Sequence, residues 1–256
     1  MGLLRSLVFR IAAPIVLLAI VAVAGWWFFI REDNEAQKEA APVTDEVRAA
    51  ASHTATATPS GEASVDADRP DADALSTFRG ETYRILADQS SAWYLAPEKL
   101  ASLQTSSTAK GTTTEISGEF HITGAGLDPE QQTTFVVGLS SLKSDQSRRD
   151  SRVQDALETS RYPTATFTAT ALTGLPAQLS PTEDAVMQLT GTLDLHGVQK
   201  EVTWELKAKQ DGDILSVLAT TSFKYSDFGI RKPDIAGFVS VEDEVTLQIQ
   251  LYATKA

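Results

Sequence analysis

The sequence predicts an all-β fold: an antiparallel up-and-down β-barrel of about eight strands with one short helix, preceded by a single N-terminal transmembrane helix. Three observations predict it. Residues 11–30 form an apolar run without a charged or polar side chain. Residues 31–78 hold almost no apolar bulk. From about Arg79 onward, polar and apolar side chains alternate in one segment after another, the mark of half-buried strands.

A run of 20 residues is long enough to cross a hydrocarbon core of about 30 Å as a helix. Arg5 and Arg10 precede it, and Arg31, Glu32, Asp33 and Glu35 follow. Basic residues on the leading side predict a cytoplasmic N-terminus and an extracytoplasmic remainder, in the periplasm or at the cell exterior. Trp26, Trp27, Phe28 and Phe29 suit the far interface. Ala22-Val23-Ala24 before Gly25 fits a small-residue cleavage site, so the competing expectation is secretion after signal cleavage. The run continues past that point to Ile30, which favours a retained signal-anchor.

Between the run and the alternating region, Val43, Val47, Val65, Leu75 and Phe78 are the apolar bulk available. That is too little to offset the entropy of ordering, so 31–78 is expected to be a disordered tether rich in Ala, Thr, Asp and Glu, with helical propensity over Glu32–Ala41. The organisation expected is a cytoplasmic stub and anchor over 1–30, a tether over 31–78 and a barrel domain over 79–256.

Within 79–256 the alternation runs through 115–122, 187–195, 202–209 and, most cleanly, 245–251; further strands are expected at 82–86, 91–96, 133–140, 164–171 and 214–223. Asp128-Pro129, Pro181–Asp184, His196-Gly197 and Asp211-Gly212 supply turns, and Arg149–Glu158 reads as the helix. One dry face on so large a sheet must be buried, and closure into a barrel also removes exposed edges. A barrel of about eight strands has room for its own side chains or for one small ligand, and periodicity does not choose between them.

Composition excludes much else. The net charge is −12: +2 over 1–30, −6 over 31–79 and −8 over 80–256. No basic cluster is present to neutralise phosphates, so nucleic acid is not an expected partner. With no Cys, thiol chemistry and disulfides are ruled out. His53, His121 and His196 are the only histidines; none has a cluster of carboxylates beside it, and no metal is expected. His196 reads as a turn residue and His121 as a solvated outward one. No Gly-x-Ser-x-Gly elbow, Walker-type loop or dinucleotide fingerprint occurs, so neither an enzyme nor a cofactor site is expected. Gly118 and Gly191 fall on the apolar face, where a chain or ligand can approach closely. Asp150 is expected to sit at the helix N-terminus near its unpaired amides.

Three stretches resemble the YceI-like family. The first carries Ser141-Leu142, Arg149-Asp150 and then Tyr162-Pro163 with Phe167. The second runs from Leu189-Thr190-Gly191-Thr192-Leu193 to His196-Gly197-Val198. The third is Tyr225-Ser226-Asp227-Phe228-Gly229-Ile230, followed by the closing strand. The resemblance covers about 80–256 and implies a lipocalin-like barrel of the periplasm or cell envelope that binds a polyisoprenoid or other long-chain lipid. One departure is Asp88–Leu95, which lacks the family's His-Ser pair; it bears on the ligand's head group.

The function expected is therefore an extracytoplasmic, membrane-tethered protein that sequesters or carries an apolar lipid of isoprenoid or fatty acyl type. The candidate ligand contacts are Phe120, Phe135, Phe167, Met187, Leu193, Trp204, Phe223, Phe228 and Ile249. Arg149 is either a head-group contact or a loop brace paired with a carboxylate such as Asp227. The alternative is an envelope interaction module with a packed barrel; a third reading is an enzyme using Asp227, Tyr225 or Arg149 at the barrel mouth.

Overall fold

The structure, a computed structural model, describes residues 35–55, 80–100, 106–232 and 239–256. The apolar run at 11–30 and the tether beyond residue 55 lie outside the described residues. Among those described, no helix is long and apolar enough to cross a membrane.

Alternation in the sequence becomes strand pairing throughout. The strands are β1 (Glu81–Ile85), β2 (Ser91–Leu100), β3 (Ser106–Thr113), β4 (Ile116–Thr123), β5 (Gly126–Leu127), β6 (Thr134–Gly138), β7 (Thr164–Thr173), β8 (Ala185–Leu195), β9 (Val198–Asp211), β10 (Ile214–Lys224), β11 (Val239–Val241) and β12 (Glu244–Lys255). All pairings between them are antiparallel. The ring runs β1-β4-β6-β7-β8-β9-β10-β12 and closes where β12 pairs with β1, from Tyr83↔Lys255 to Ile85↔Ala253. That is an eight-strand closed barrel. β2 continues β1 beyond a short 3-10 turn at Ala87–Gln89 and pairs with the same β12, and β3 folds back on β2. β3 was not legible as a strand: Ser106–Thr113 carries no large apolar side chain to reveal a period.

Local chemistry sets the turns and breaks. His196 (φ 57°) and Gly197 (φ 74°) make the two-residue connection between β8 and β9, the left-handed pair that a tight hairpin demands. His196 is a turn residue, and its Nδ1 also donates to the Phe228 carbonyl oxygen at 3.2 Å. A bulge in β7 between Ala169 and Ala171 shifts the phase of alternation, which turns Leu172 as well as Phe167 inward. Gly191 has no Cβ because β7 occupies that space: a methyl there would collide with the Thr168 carbonyl oxygen and the Phe167 ring. The close approach at Gly191 is by a neighbouring strand.

Among the described residues, two α-helices accompany the barrel: α1 (Asp45–Ala55) and α2 (Ser147–Ala156). The second matches the expectation; the first does not. Residues 35–44 are not helical, and residues 36–55 are seated on the outer barrel wall, not loose. Ala40, 2% exposed, packs with Trp93, Leu95 and Leu218; Val47 and Ala51, one turn apart on α1, pack with Leu86, Ile214 and Tyr252. A free coil is thus the wrong description for 36–55.

This seating changes what outward means on β10 and β12. Gln248 and Gln250 face away from the interior by alternation, yet they are 1% and 5% exposed because the segment covers them. His121 is likewise half-buried, sharing a hydrogen bond with Thr82 Oγ1 at 2.9 Å, where a solvated side chain was expected.

Candidate functional site

Inward positions of the strands meet around a cavity of about 210 Å³. β7, β8 and β9 contribute Ala165, Phe167, Leu172, Met187, Leu189, Leu193, Trp204 and Leu206; β10 and β12 contribute Leu215, Val217, Ala219, Phe223, Val245, Leu247, Ile249 and Leu251. β2, β4 and β6 add Tyr94, Ile116, Phe120, Phe135 and Val137. At one end the lining is Leu139, Leu142 and the α2 side chains Val153 and Ala156 with Leu157, and at the other Leu175 and Leu179. Hydroxyls in the wall are few, those of Thr113, Thr133, Tyr94 and Tyr225 among the described residues.

The aromatic residues form a ladder across adjacent strands. Tyr83 stacks on Phe120 at 5.1 Å between ring centres, Phe120 meets Phe135 at 6.1 Å, Phe135 meets Phe167 at 6.5 Å, and Phe167 stands edge-on to Trp204 at 6.0 Å. Register explains the ladder: Tyr83 lies opposite Phe120, and Phe135 opposite Phe167. Cross-strand aromatic pairs of this kind stiffen the wall.

A filled core is not what these strands enclose. Interiors rarely hold voids larger than a water molecule. A space of this size forgoes the dispersion contacts that a close-packed interior would make across it. Most of this wall offers water no hydrogen-bonding partner. The arrangement is suited to one physical task, the burial of an apolar chain.

Of the ten candidate contacts, Phe120, Phe135, Phe167, Met187, Leu193, Trp204, Phe223 and Ile249 line the cavity. Phe228 does not. It is fully buried behind the wall, with its ring edge-on to Phe223 at 4.7 Å. Arg149 does not line it either: its guanidinium pairs with Asp145 and, at 3.6 Å, with Glu98 Oε2. Asp227, the partner expected for it, instead accepts from the Lys224 backbone N–H at 3.0 Å and from Lys200 Nζ at 3.2 Å. Asp150 lies in the first turn of α2, but its Oδ1 accepts from Ser144 N–H at 2.8 Å and Ser144 Oγ–H at 2.6 Å, so the preceding loop satisfies it instead of the helix amides. Asp227, Tyr225 and Arg149 are therefore not brought together as one catalytic group. Among the described residues, no three His, Asp or Glu side chains are arranged to hold a metal ion.

Several wall residues escaped the sequence reading. Val153, Ala156 and Leu157 carry a helical three- and four-residue spacing that marks the inner face of α2. Leu175 and Leu179 sit in an irregular loop and offer no such signal.

The profile of a family described as the YceI-like domain matches residues 83–253. A UPF0312 protein of Pseudomonas putida strain W619 is 33% identical over 132 residues, covering 48% of this chain and 64% of the relative. A UPF0312 protein of Vibrio parahaemolyticus is 27% identical over 141 residues, covering 52% of this chain and 70% of the relative. The match to the Pseudomonas relative thus spans less than two thirds of that protein's length. Among solved structures, a polyisoprenoid binding domain from Saccharophagus degradans implicated in plant cell wall breakdown aligns with a TM-score of 0.53 at 22% identity, over 68% of this chain and 98% of that one. That likeness is one of fold.

Proposed function

We propose that this chain, which belongs to the YceI-like domain family, binds one apolar lipid of isoprenoid or fatty acyl type inside its barrel. The observation that carries the reading is the cavity of about 210 Å³ with its almost wholly aliphatic and aromatic wall. Each methylene moved from water into such a space is stabilised by about 0.8 kcal/mol, so a long tail accumulates substantial affinity without any reaction taking place. The mechanism is sequestration. The polyisoprenoid named for the Saccharophagus degradans domain is in keeping with this ligand class.

The apolar run at 11–30, with Arg5 and Arg10 before it, supports a membrane anchor that places the barrel on the extracytoplasmic side. There the protein would stand beside the membrane that donates or receives the lipid.

The test uses the full chain reconstituted in nanodiscs, with organic extraction and mass spectrometry against empty nanodiscs. About one isoprenoid or acyl lipid per chain above background is expected. No enrichment, together with no uptake of added geranylgeraniol or palmitate, overturns the reading. Topology is tested with Gln188→Cys, since the chain has no cysteine of its own and Gln188 is exposed on β8. Labelling of intact cells by an impermeant maleimide is expected; labelling only after lysis places the barrel inside.

A further inference from the structure

Two phenolic hydroxyls stand apart in a wall whose other hydroxyls, on Thr113 and Thr133, are already paired with Ser141 and with the Glu115 and His121 amides. Tyr94 on β2 and Tyr225, the residue after β10, both line the cavity. Among the described residues neither phenol has a hydrogen-bond partner. Neither oxygen is among the sealed polar atoms of the interior, so both remain open to contact. By contrast Tyr83 donates to Glu81 at 2.7 Å and Tyr252 to the Pro42 carbonyl oxygen at 3.0 Å. Buried hydroxyls ordinarily find a partner, and an unused pair on one cavity wall points to a ligand that supplies it.

The charges around the pair define that ligand further. Tyr94 and Glu98 lie on the same face of β2, four residues apart. Glu98, with a side chain 15% exposed, pairs with Arg149 of α2 at 3.6 Å, and Asp145 takes up the same guanidinium. Asp150 stands in the next position, and Asp243 lies where its backbone carbonyl accepts from Tyr225 N–H at 3.0 Å. The charges that act on the two phenols are thus four carboxylates and one guanidinium already engaged by two of them. Lys232, on the same end of the barrel, is exposed and donates to the Val241 carbonyl oxygen at 3.2 Å. Burial first of all raises both phenols above their ordinary pKa, Tyr94 to about 12, so they remain neutral donors. An anionic head group brought here would face excess negative charge in a poorly screened setting. A neutral oxygen would accept directly from the two hydroxyls.

We propose that the α2 end of the cavity selects a lipid with a neutral oxygen head, a hydroxyl or a carbonyl, held by Tyr94 and Tyr225, and discriminates against diphosphate and carboxylate heads. This specificity rests on the reading of the barrel as a lipid carrier. It assigns the residues that read the head group, which the aliphatic part of the wall cannot do.

The experiment compares three ligands with closely matched twenty-carbon branched tails on the full chain in nanodiscs: geranylgeraniol, geranylgeranyl diphosphate and phytane. Geranylgeraniol is expected to bind about tenfold more tightly than the diphosphate or better. Tyr94→Phe and Tyr225→Phe keep the rings and remove the donors. Each is expected to weaken geranylgeraniol about three- to tenfold while leaving phytane unchanged, so that the double variant binds the two alike. Glu98→Gln should narrow the gap between alcohol and diphosphate. If the diphosphate binds as tightly as the alcohol, or if the double variant holds geranylgeraniol undiminished, the head-group assignment falls while lipid carriage stands. If none of the three is retained, phytane included, lipid carriage falls and the assignment with it.

Discussion

Gln37 and Gln248, 211 residues apart in the chain, hold each other by two hydrogen bonds: Gln37 N–H donates to Gln248 Oε1 at 2.8 Å, and Gln248 Nε2 donates to the Gln37 carbonyl oxygen at 2.9 Å. The same side chain accepts from Trp93 Nε1 at 3.2 Å and donates to Thr220 Oγ1 at 3.0 Å. One amide on β12 thus joins β2, β10 and the segment that precedes the barrel.

Gln248→Leu is expected to destabilise the protein by about 2–4 kcal/mol. The apolar replacement leaves the buried Trp93 indole without its partner and removes both bonds to the Gln37 backbone, at about 1–3 kcal/mol for each group that water does not rescue. Thermal unfolding measures it. A change under about 0.5 kcal/mol would mean that residues 36–42 do not stay seated in solution.

Gly191→Ala is expected to cost about 1–3 kcal/mol, because the added methyl meets the Thr168 carbonyl oxygen and the Phe167 ring at once. The Phe167 ring belongs to the cavity wall, so lipid uptake should fall as well. Gly212→Ala is the comparison: nothing lies near its missing Cβ, and its left-handed φ of 60° carries the backbone strain alone. A loss at Gly191 no greater than at Gly212 counts against the steric account.

Trp204→Ala enlarges the cavity and should cost about 3–5 kcal/mol in the lipid-free protein. A bound tail fills part of that space, so added geranylgeraniol is expected to raise the melting temperature of the variant in a concentration-dependent way. Glu205 is next on the strand and faces outward, exposed. Glu205→Ala should change stability by less than about 0.5 kcal/mol and leave uptake intact. Equal effects at the two positions would contradict an interior site.

Acid pH is expected to weaken the turn after β10. The Lys224 backbone N–H, and then Lys200, hold the Asp227 carboxyl below its ordinary pKa. A carboxyl with a lower pKa folded than unfolded adds stability above the unfolded value, near pH 4, and loses it as pH falls through the folded value. Asp227→Asn should therefore lower the melting temperature at neutral pH, and the difference should shrink below about pH 4. A deficit that stays constant across that range would assign the effect to something other than the charge.

What alternation can reveal was present in the sequence. The parity of Val245, Leu247, Ile249 and Leu251 identified the inner face of β12, and Phe167, Met187 and Trp204 their places in the wall, because side chains on a strand must change sides at every step. The motifs around Arg149, Gly197 and Asp227 pointed to the same barrel. Partners were not legible. Arg149 meets Glu98, on a strand some fifty residues earlier, and Phe228 packs behind Phe223 instead of beside the cavity, since only closure of the ring decides which ends meet.

By itself the sequence determined the strand periodicity, the barrel class and most of the apolar wall, all of which follow from local spacing of large side chains. Tertiary structure alone decided that the interior is hollow, that two phenols are left facing it, and that residues 36–55 cover the outer wall. The last could not be read because the barrel grips residues 37–42 largely by their backbone. Gln248 and Gln250 hold the Gln37 and Ala41 amides, Lys207 and Lys209 the Lys38 and Ala40 carbonyls, and Tyr252 the Pro42 carbonyl. Every residue type offers those groups except for the N–H that proline lacks, so a segment bound in this way carries almost no signature of its binding in its own side chains.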